Sequence, residues 1–198
     1  MENTGIAIQA EAPEEELTIE LKYLQILAQA RVNIVEEFDG KLPVDEIELG
    51  HIYYDDAEEV RLKWRLTYAR SWINLDWASV RKSQKRRIDV SIRCRDSLCG
   101  LMLAQRSNKK LCVTLRYLEG NPNPHPLKGY VLALAMIIAE TFAEADNIRQ
   151  VCVSRPEKGL IDKYESLGYE LNATDKERIR RNGKPRAKLM TKRLDNVL

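Results

Sequence analysis

The chain has 198 residues, 44% hydrophobic and 31% charged, with 32 Lys and Arg against 30 Asp and Glu. That is enough apolar material to fill the core of one ordinary domain, which excludes a disordered or low-complexity protein. The longest apolar run, Tyr130–Ala139, is too short to cross a bilayer, and the N-terminus lacks the basic start and apolar stretch of a signal peptide; a soluble cytoplasmic protein with no membrane partner is expected.

The charge is unevenly spread: residues 1–60 hold 3 Lys and Arg against 16 Asp and Glu, the remainder 29 against 14. Such asymmetry fits an anionic ligand for the basic part, an acidic extension folded over it, or plain solvated charge. Residues 1–13 read as a flexible acidic tail, 14–50 as a helical extension and 51–198 as the main domain. In the extension, Leu17, Leu21, Leu24, Ala28, Val35 and Phe38 recur at three- and four-residue spacings, the pattern of a helix with one buried face. Asp39–Pro43 end it with turn residues. Packing within one chain and joining two chains into a homodimer are both open to this helix.

A second helix is predicted from Asp56, where Asp-Ala-Glu-Glu offers a cap. It carries two apolar stripes, Val60, Trp64, Tyr68, Trp72 and Leu62, Leu66, Ala69, Ile73, as a helix wedged between neighbours would. Asn74–Asp76 break it ahead of a shorter helix ending near Ser83. After the basic run Arg81–Arg87 the period changes to alternation. Ile88–Cys94, Leu98–Arg106 and Leu111–Gly120 read as three strands of a meander. Three prolines in residues 121–129 make a stiff loop, followed by a helix at Tyr130–Ala145 that is apolar almost all round and therefore buried. A strand at Arg149–Ser154, a helix over Gly159–Leu167, a strand at Tyr169–Asn172, a polar hairpin turning at Asn182–Gly183 and a last strand at Lys188–Leu194 complete the chain. Cys94, Cys112 and Cys152 sit in strand-like sequence as small apolar side chains, and neither Cys94…Cys99 nor His51 and His125 matches a metal-binding spacing, so no metal is expected.

The order of elements, together with "DKYESLGYEL" (Asp162–Leu171) and "KLMTKRL" (Lys188–Leu194), resembles the GCN5-related N-acetyltransferase (GNAT) family over roughly residues 56–194. The segment "HPLKGYVLALAMIIAETFAEADNIRQVCVS" has the layout of that family's cofactor motif: loop, glycine, long buried helix, strand. The resemblance implies an α/β fold, a central mixed sheet flanked by helices, here with the N-terminal helical extension. It also implies acetyl-CoA as cosubstrate. Of the family's Gln/Arg-x-x-Gly-x-Gly/Ala, only Gly129 is matched within Pro126–Val131; Pro126 replaces Gln or Arg, and Val131 a small residue. A helix N-terminus and a glycine suit a pyrophosphate, and Lys128 adds charge.

By the same resemblance, Leu127, Lys128, Gly129, Tyr130 and Val131 would hold the phosphates, and the backbone of Arg116, Tyr117 and Leu118 the pantetheine arm. Tyr164 would protonate the departing thiolate, with Gly168 ending its helix. Glu119, at the end of the third strand, is the candidate base for the acceptor amine, with a turn-stabilising role as the other reading. Trp64, Tyr68 and Trp72 are first of all core aromatics at helical spacing; in this fold they would also line the acceptor pocket. The resemblance thus implies direct acetyl transfer to an amine on a small molecule or protein. The basic stretches Arg81–Arg87 and Lys176–Arg193 admit an RNA-linked acceptor. The alternative is a GNAT-fold protein without catalysis that binds a protein or nucleic-acid partner.

Overall fold

A computed structural model describes residues 12–65, 75–83 and 87–194. The elements in chain order are α1 (Ala12–Phe38), β1 (Ile47–Gly50) and α2 (Tyr54–Glu59), which runs on into a π-helical turn at Val60–Trp64, then α3 (Trp77–Ser83). The meander β2 (Arg87–Cys94), β3 (Ser97–Arg106) and β4 (Val113–Gly120) follows. The chain continues with α4 (Val131–Ala145), β5 (Gln150–Ser154), α5 (Ile161–Ser166), β6 (Glu170–Leu171), α6 (Ala173–Arg180) and β7 (Leu189–Arg193). The seven strands form one mixed sheet in the order β1-β2-β3-β4-β5-β7-β6, flanked by helices as expected. Its one parallel pair is β4 with β5; every other neighbour is antiparallel. Among the described residues no helix is long and apolar enough to cross a membrane.

The sheet separates two apolar clusters. Val90, Ile92, Met102 and Ala104 pack with α1 and α4 in the larger one. Leu101 and Leu103, pointing the other way along β3, pack with Ile52, Val60, Trp64 and Trp77. Alternation along a strand thus feeds both layers, and Asp89 and Ser91 are buried with their apolar neighbours. α1 lies on α4: Tyr23 packs on Phe142, Lys22 pairs with Asp146 at 2.8 Å, and Asn33 donates to Thr141 at 2.9 Å.

Three expectations are corrected. The face that α1 buries is Tyr23, Ile26, Leu27, Ala30, Ile34 and Phe38, whereas Leu17, Leu21 and Leu24 are 60%, 52% and 48% exposed and Ala28 is exposed too. The helix carries two apolar stripes, and α4 takes the one set by Tyr23. Ile47–Gly50 is a strand, paired with β2 from Ile47↔Cys94 to Gly50↔Ser91, so the segment before α2 contributes to the sheet. The polar stretch after Asn172 is a helix, not a hairpin. Asn172 caps it by accepting from the Asp175 N–H at 2.8 Å, and Asn182, at φ 58, ends it. Buried Asp175 accepts from the N–H groups of Arg186 (2.7 Å) and Ala187 (3.2 Å), folding the following loop back on the helix. Tyr68 and Trp72, the tail's residues 1–11 and part of the Arg81–Arg87 run lie outside the described residues.

Candidate functional site

The parallel pairing of β4 with β5 lasts only from Val113↔Val151 to Leu115↔Val153. On its other side β4 stays paired with β3 to Gly120↔Gly100, but the register skips Arg116 between Leu103↔Tyr117 and Ala104↔Leu115. A bulge of this kind bends its strand and sharpens the local twist, and it falls where β4 and β5 part. Beyond it, residues 116–120 have a main-chain edge without a strand partner among the described residues. Arg116 reaches Gln105 at 3.3 Å and Ser154 at 3.4 Å, Tyr117 is partly exposed, and Leu118 is half-buried.

That edge forms one wall of a cavity of about 380 Å³. Leu118, Glu119 and Gly120 come from β4, His125, Lys128 and Gly129 from the loop, Val131 and Leu132 from the start of α4, and Glu157, Leu160 and Lys163 from around α5. Trp64 and Arg65 close the far side, both set by the π-helical turn of α2. Such turns shift side chains by one position and occur often at functional sites.

In the loop, Gly129 holds φ at +89°, a left-handed conformation that costs glycine little, and a Cβ there would meet nothing within 4 Å. The Lys128 ammonium donates to the carbonyls of Asn121 (3.0 Å) and Pro122 (2.7 Å), so its charge is held at the cavity rim. His125 Nδ1 accepts from the Leu127 N–H at 3.2 Å. Burial, then the charge of Lys128, pushes the imidazole pKa down, so the ring is neutral with its proton on Nε2. Leu127 is wholly buried, and Tyr130 packs edge-on against Phe38 of α1. Val131 leans onto the sheet: a Cβ built at Gly100 would lie 2.5 Å from Val131 Cγ1, and one at Gly120 3.8 Å from it. Two paired glycines make the room that the larger residue at 131 takes.

Glu119 is engaged. Arg65 donates to both of its oxygens, Nη2 to Oε2 at 2.9 Å, and Trp77 Nε1 donates to Oε2 at 2.7 Å. Arg65 also donates to the Leu75 carbonyl at 3.1 Å. Trp64 is 1% exposed, and its indole N–H has no hydrogen-bond partner among the described residues. Arg65 was not singled out in the sequence; its only local signal is its place one residue after Trp64.

Tyr164 is 4% exposed, packed edge-on against Tyr169, and is not among the residues lining the cavity, although its neighbour Lys163 is. Burial, and then the nearby Glu157 carboxylate, push its pKa up to about 12. Gly168 sits at φ +83 and ends α5, with the Tyr169 N–H returning to the Tyr164 carbonyl at 3.0 Å. Tyr169 in turn donates to Glu140 of α4 at 2.8 Å, which also receives Lys192 of β7 at 2.9 Å. In the C-terminal basic stretch, Arg180 and Arg181 pair with Glu177 and Lys176 with Glu170.

No protein-family model and no curated protein matches this sequence. Solved structures do match in fold. N-acetylglutamate synthase from Neisseria gonorrhoeae, complexed with coenzyme A and N-acetyl-glutamate, aligns at TM-score 0.52 and 14% identity over 76% of this chain. The match spans 35% of the synthase's own length. The PaiA N-acetyltransferase from Thermoplasma acidophilum, in complex with coenzyme A, aligns at 0.50 and 18% identity, covering 75% of this chain and 99% of its own. A GNAT-family acetyltransferase from Staphylococcus aureus aligns at 0.52 and 12% identity with the same two coverages. With the splayed β4–β5 pair, the glycine turn before α4 and this agreement in topology, the chain is built on the GNAT fold.

Proposed function

We propose that the protein transfers an acetyl group from acetyl-CoA directly to an amine. One observation carries the reading: the unpaired edge of β4 and the Gly129 turn at the head of α4 face the same cavity. An open strand edge suits the amide groups of a pantetheine arm, and a helix N-terminus with a bare glycine backbone suits a pyrophosphate. Lys128 adds a fixed positive charge at the rim. Val131, larger than the resemblance implies, fits because Gly100 and Gly120 absorb its bulk. The N-acetylglutamate synthase and PaiA structures, which share this fold, both hold coenzyme A.

In this reading the acceptor's neutral nitrogen attacks the thioester carbonyl carbon, the C–N bond forms, the C–S bond breaks, the sulfur takes a proton from the Tyr164 hydroxyl, and the proton that the nitrogen gives up restores Tyr164 by way of solvent. Its raised pKa keeps that hydroxyl protonated at neutral pH, as a general acid must be. Lys163, the residue before Tyr164 on the same helix, lines the cavity.

Calorimetric titration with acetyl-CoA and with CoA tests the proposal. Saturable micromolar binding that disappears in Gly129→Glu is expected. Absence of binding up to millimolar concentration would overturn it in favour of a partner-binding protein on the same fold.

A further inference from the structure

One part of the cavity wall carries a charge pair. Arg65 and Glu119 both line it, both are largely buried, and they neutralise each other through a two-pronged contact. A cationic amine entering alone would draw Glu119 away and leave a buried guanidinium unpaired, which is costly. A molecule carrying both charges avoids that cost: its ammonium replaces Arg65 on Glu119, and its carboxylate replaces Glu119 on Arg65. Four charges then alternate, and net charge in the cavity is unchanged. Guanidinium forks are well matched to carboxylates, so the exchange also preserves hydrogen-bond geometry.

One further contact supports the exchange. Trp77 Nε1 holds Glu119 from behind at 2.7 Å and would keep its carboxylate in place when Arg65 turns to the ligand.

Resting on the acetyl-transfer reading, we infer that the acceptor is a zwitterionic amine, a free α-amino acid being the smallest of the class, which inserts between Arg65 and Glu119. Insertion starts the chemistry. It sets the ligand's ammonium directly against the Glu119 carboxylate, within reach for proton transfer. The ammonium passes one proton to Glu119; the freed nitrogen pair forms the C–N bond, the C–S bond breaks as the sulfur takes the Tyr164 proton, and the second proton that the nitrogen loses on becoming an amide restores Tyr164 by way of solvent. The products are an N-acetyl amino acid and CoA thiol, and Glu119 returns its proton to solvent.

The test measures CoA-thiol release from acetyl-CoA with the twenty L-amino acids, each set beside the amine left when its carboxylate is removed. Calorimetry of the preferred amino acid against CoA-saturated protein runs in parallel. At least one amino acid is expected to bind and turn over with kcat/KM about 100-fold or more above its decarboxylated counterpart, as when a site built for a polar group meets an analogue lacking it. Arg65→Gln is expected to remove that preference. Equal or better use of the decarboxylated amines, or no amino-acid binding to a protein that does bind CoA, overturns the inference and leaves the transferase reading standing. Failure to bind CoA overturns both.

Discussion

Two nitrogens of the Arg65 guanidinium meet the two carboxylate oxygens of Glu119, although 54 residues separate them in the chain. The pair ties the end of the α2 turn to the end of β4, and it is mostly shielded from water, with side-chain exposures of 18% and 10%. Removing one partner strands the other, whereas removing both does not. Arg65→Met and Glu119→Gln are each expected to cost about 3 kcal/mol. The double substitution should cost clearly less than the sum, as a double-mutant cycle in urea denaturation would register. Additive costs would mean that the pair contributes nothing specific.

The contact of Val131 with Gly100 makes a second, purely steric expectation. A methyl at position 100 would meet Val131 Cγ1 at 2.5 Å, so Gly100→Ala must shift the Val131 side chain or the first turn of α4 that carries it. A loss of about 1–3 kcal/mol is expected. Val131→Ala in the same chain should restore most of it. Denaturant midpoints for the two singles and the double decide the matter.

Tyr164→Phe removes only the hydroxyl from a packed ring. Stability and CoA affinity should stay near wild type, while kcat falls by about 100-fold or more if the hydroxyl is the proton donor. With its pKa near 12, Tyr164 should produce no fall in kcat across the ordinary alkaline range. Unchanged kcat in Tyr164→Phe would remove this residue from the mechanism.

His51 links α1 to the sheet. Its ring stacks on Tyr23 at 4.0 Å, Nε2 lies 3.1 Å from Glu20, and Nδ1 lies 3.8 Å from Asp89, which Arg87 also contacts at 3.1 Å. The Asp89 carboxylate first, and Glu20 after it, raise the His51 pKa in the folded protein, with burial acting against them. The bound proton therefore stabilises the folded state fully below the ordinary histidine value of about 6.5, and that contribution is lost as pH rises through the higher folded value. Melting temperature should fall more between pH 6 and pH 8 in wild type than in His51→Gln. Parallel pH profiles for the two proteins would contradict this.

Much of the fold was legible because strong periodicity leaves one choice. The alternation in β2 and β3, the all-round apolar α4 and the Tyr164–Gly168 spacing each became the element expected. Ambiguity arose where a local signal had two physical outcomes. Asn182–Gly183 reads as a hairpin turn, yet a left-handed Asn182 ends a helix equally well, and the Asn172–Asp175 cap ten residues earlier decides for the helix. In α1 both apolar stripes satisfy helical spacing, and only the presence of Phe142 and Asp146 across the interface selects the Tyr23 stripe. β1 is four residues long, too short for its alternation to stand out. At the site, Gly129 and Glu119 were visible because loops and strand ends are. Arg65 was not, because what gives it meaning is a partner brought close only by the finished sheet.

The packing of α1 on α4 has a consequence in time. The Lys22–Asp146 contact spans 124 positions, and Tyr23 reaches Phe142 over a similar distance. During synthesis α1 leaves the ribosome well before α4, and the whole meander is made between the two. The seat that Phe142 and Asp146 provide for Tyr23 and Lys22 is therefore completed late, and α1 is expected to settle fully only once α4 has formed.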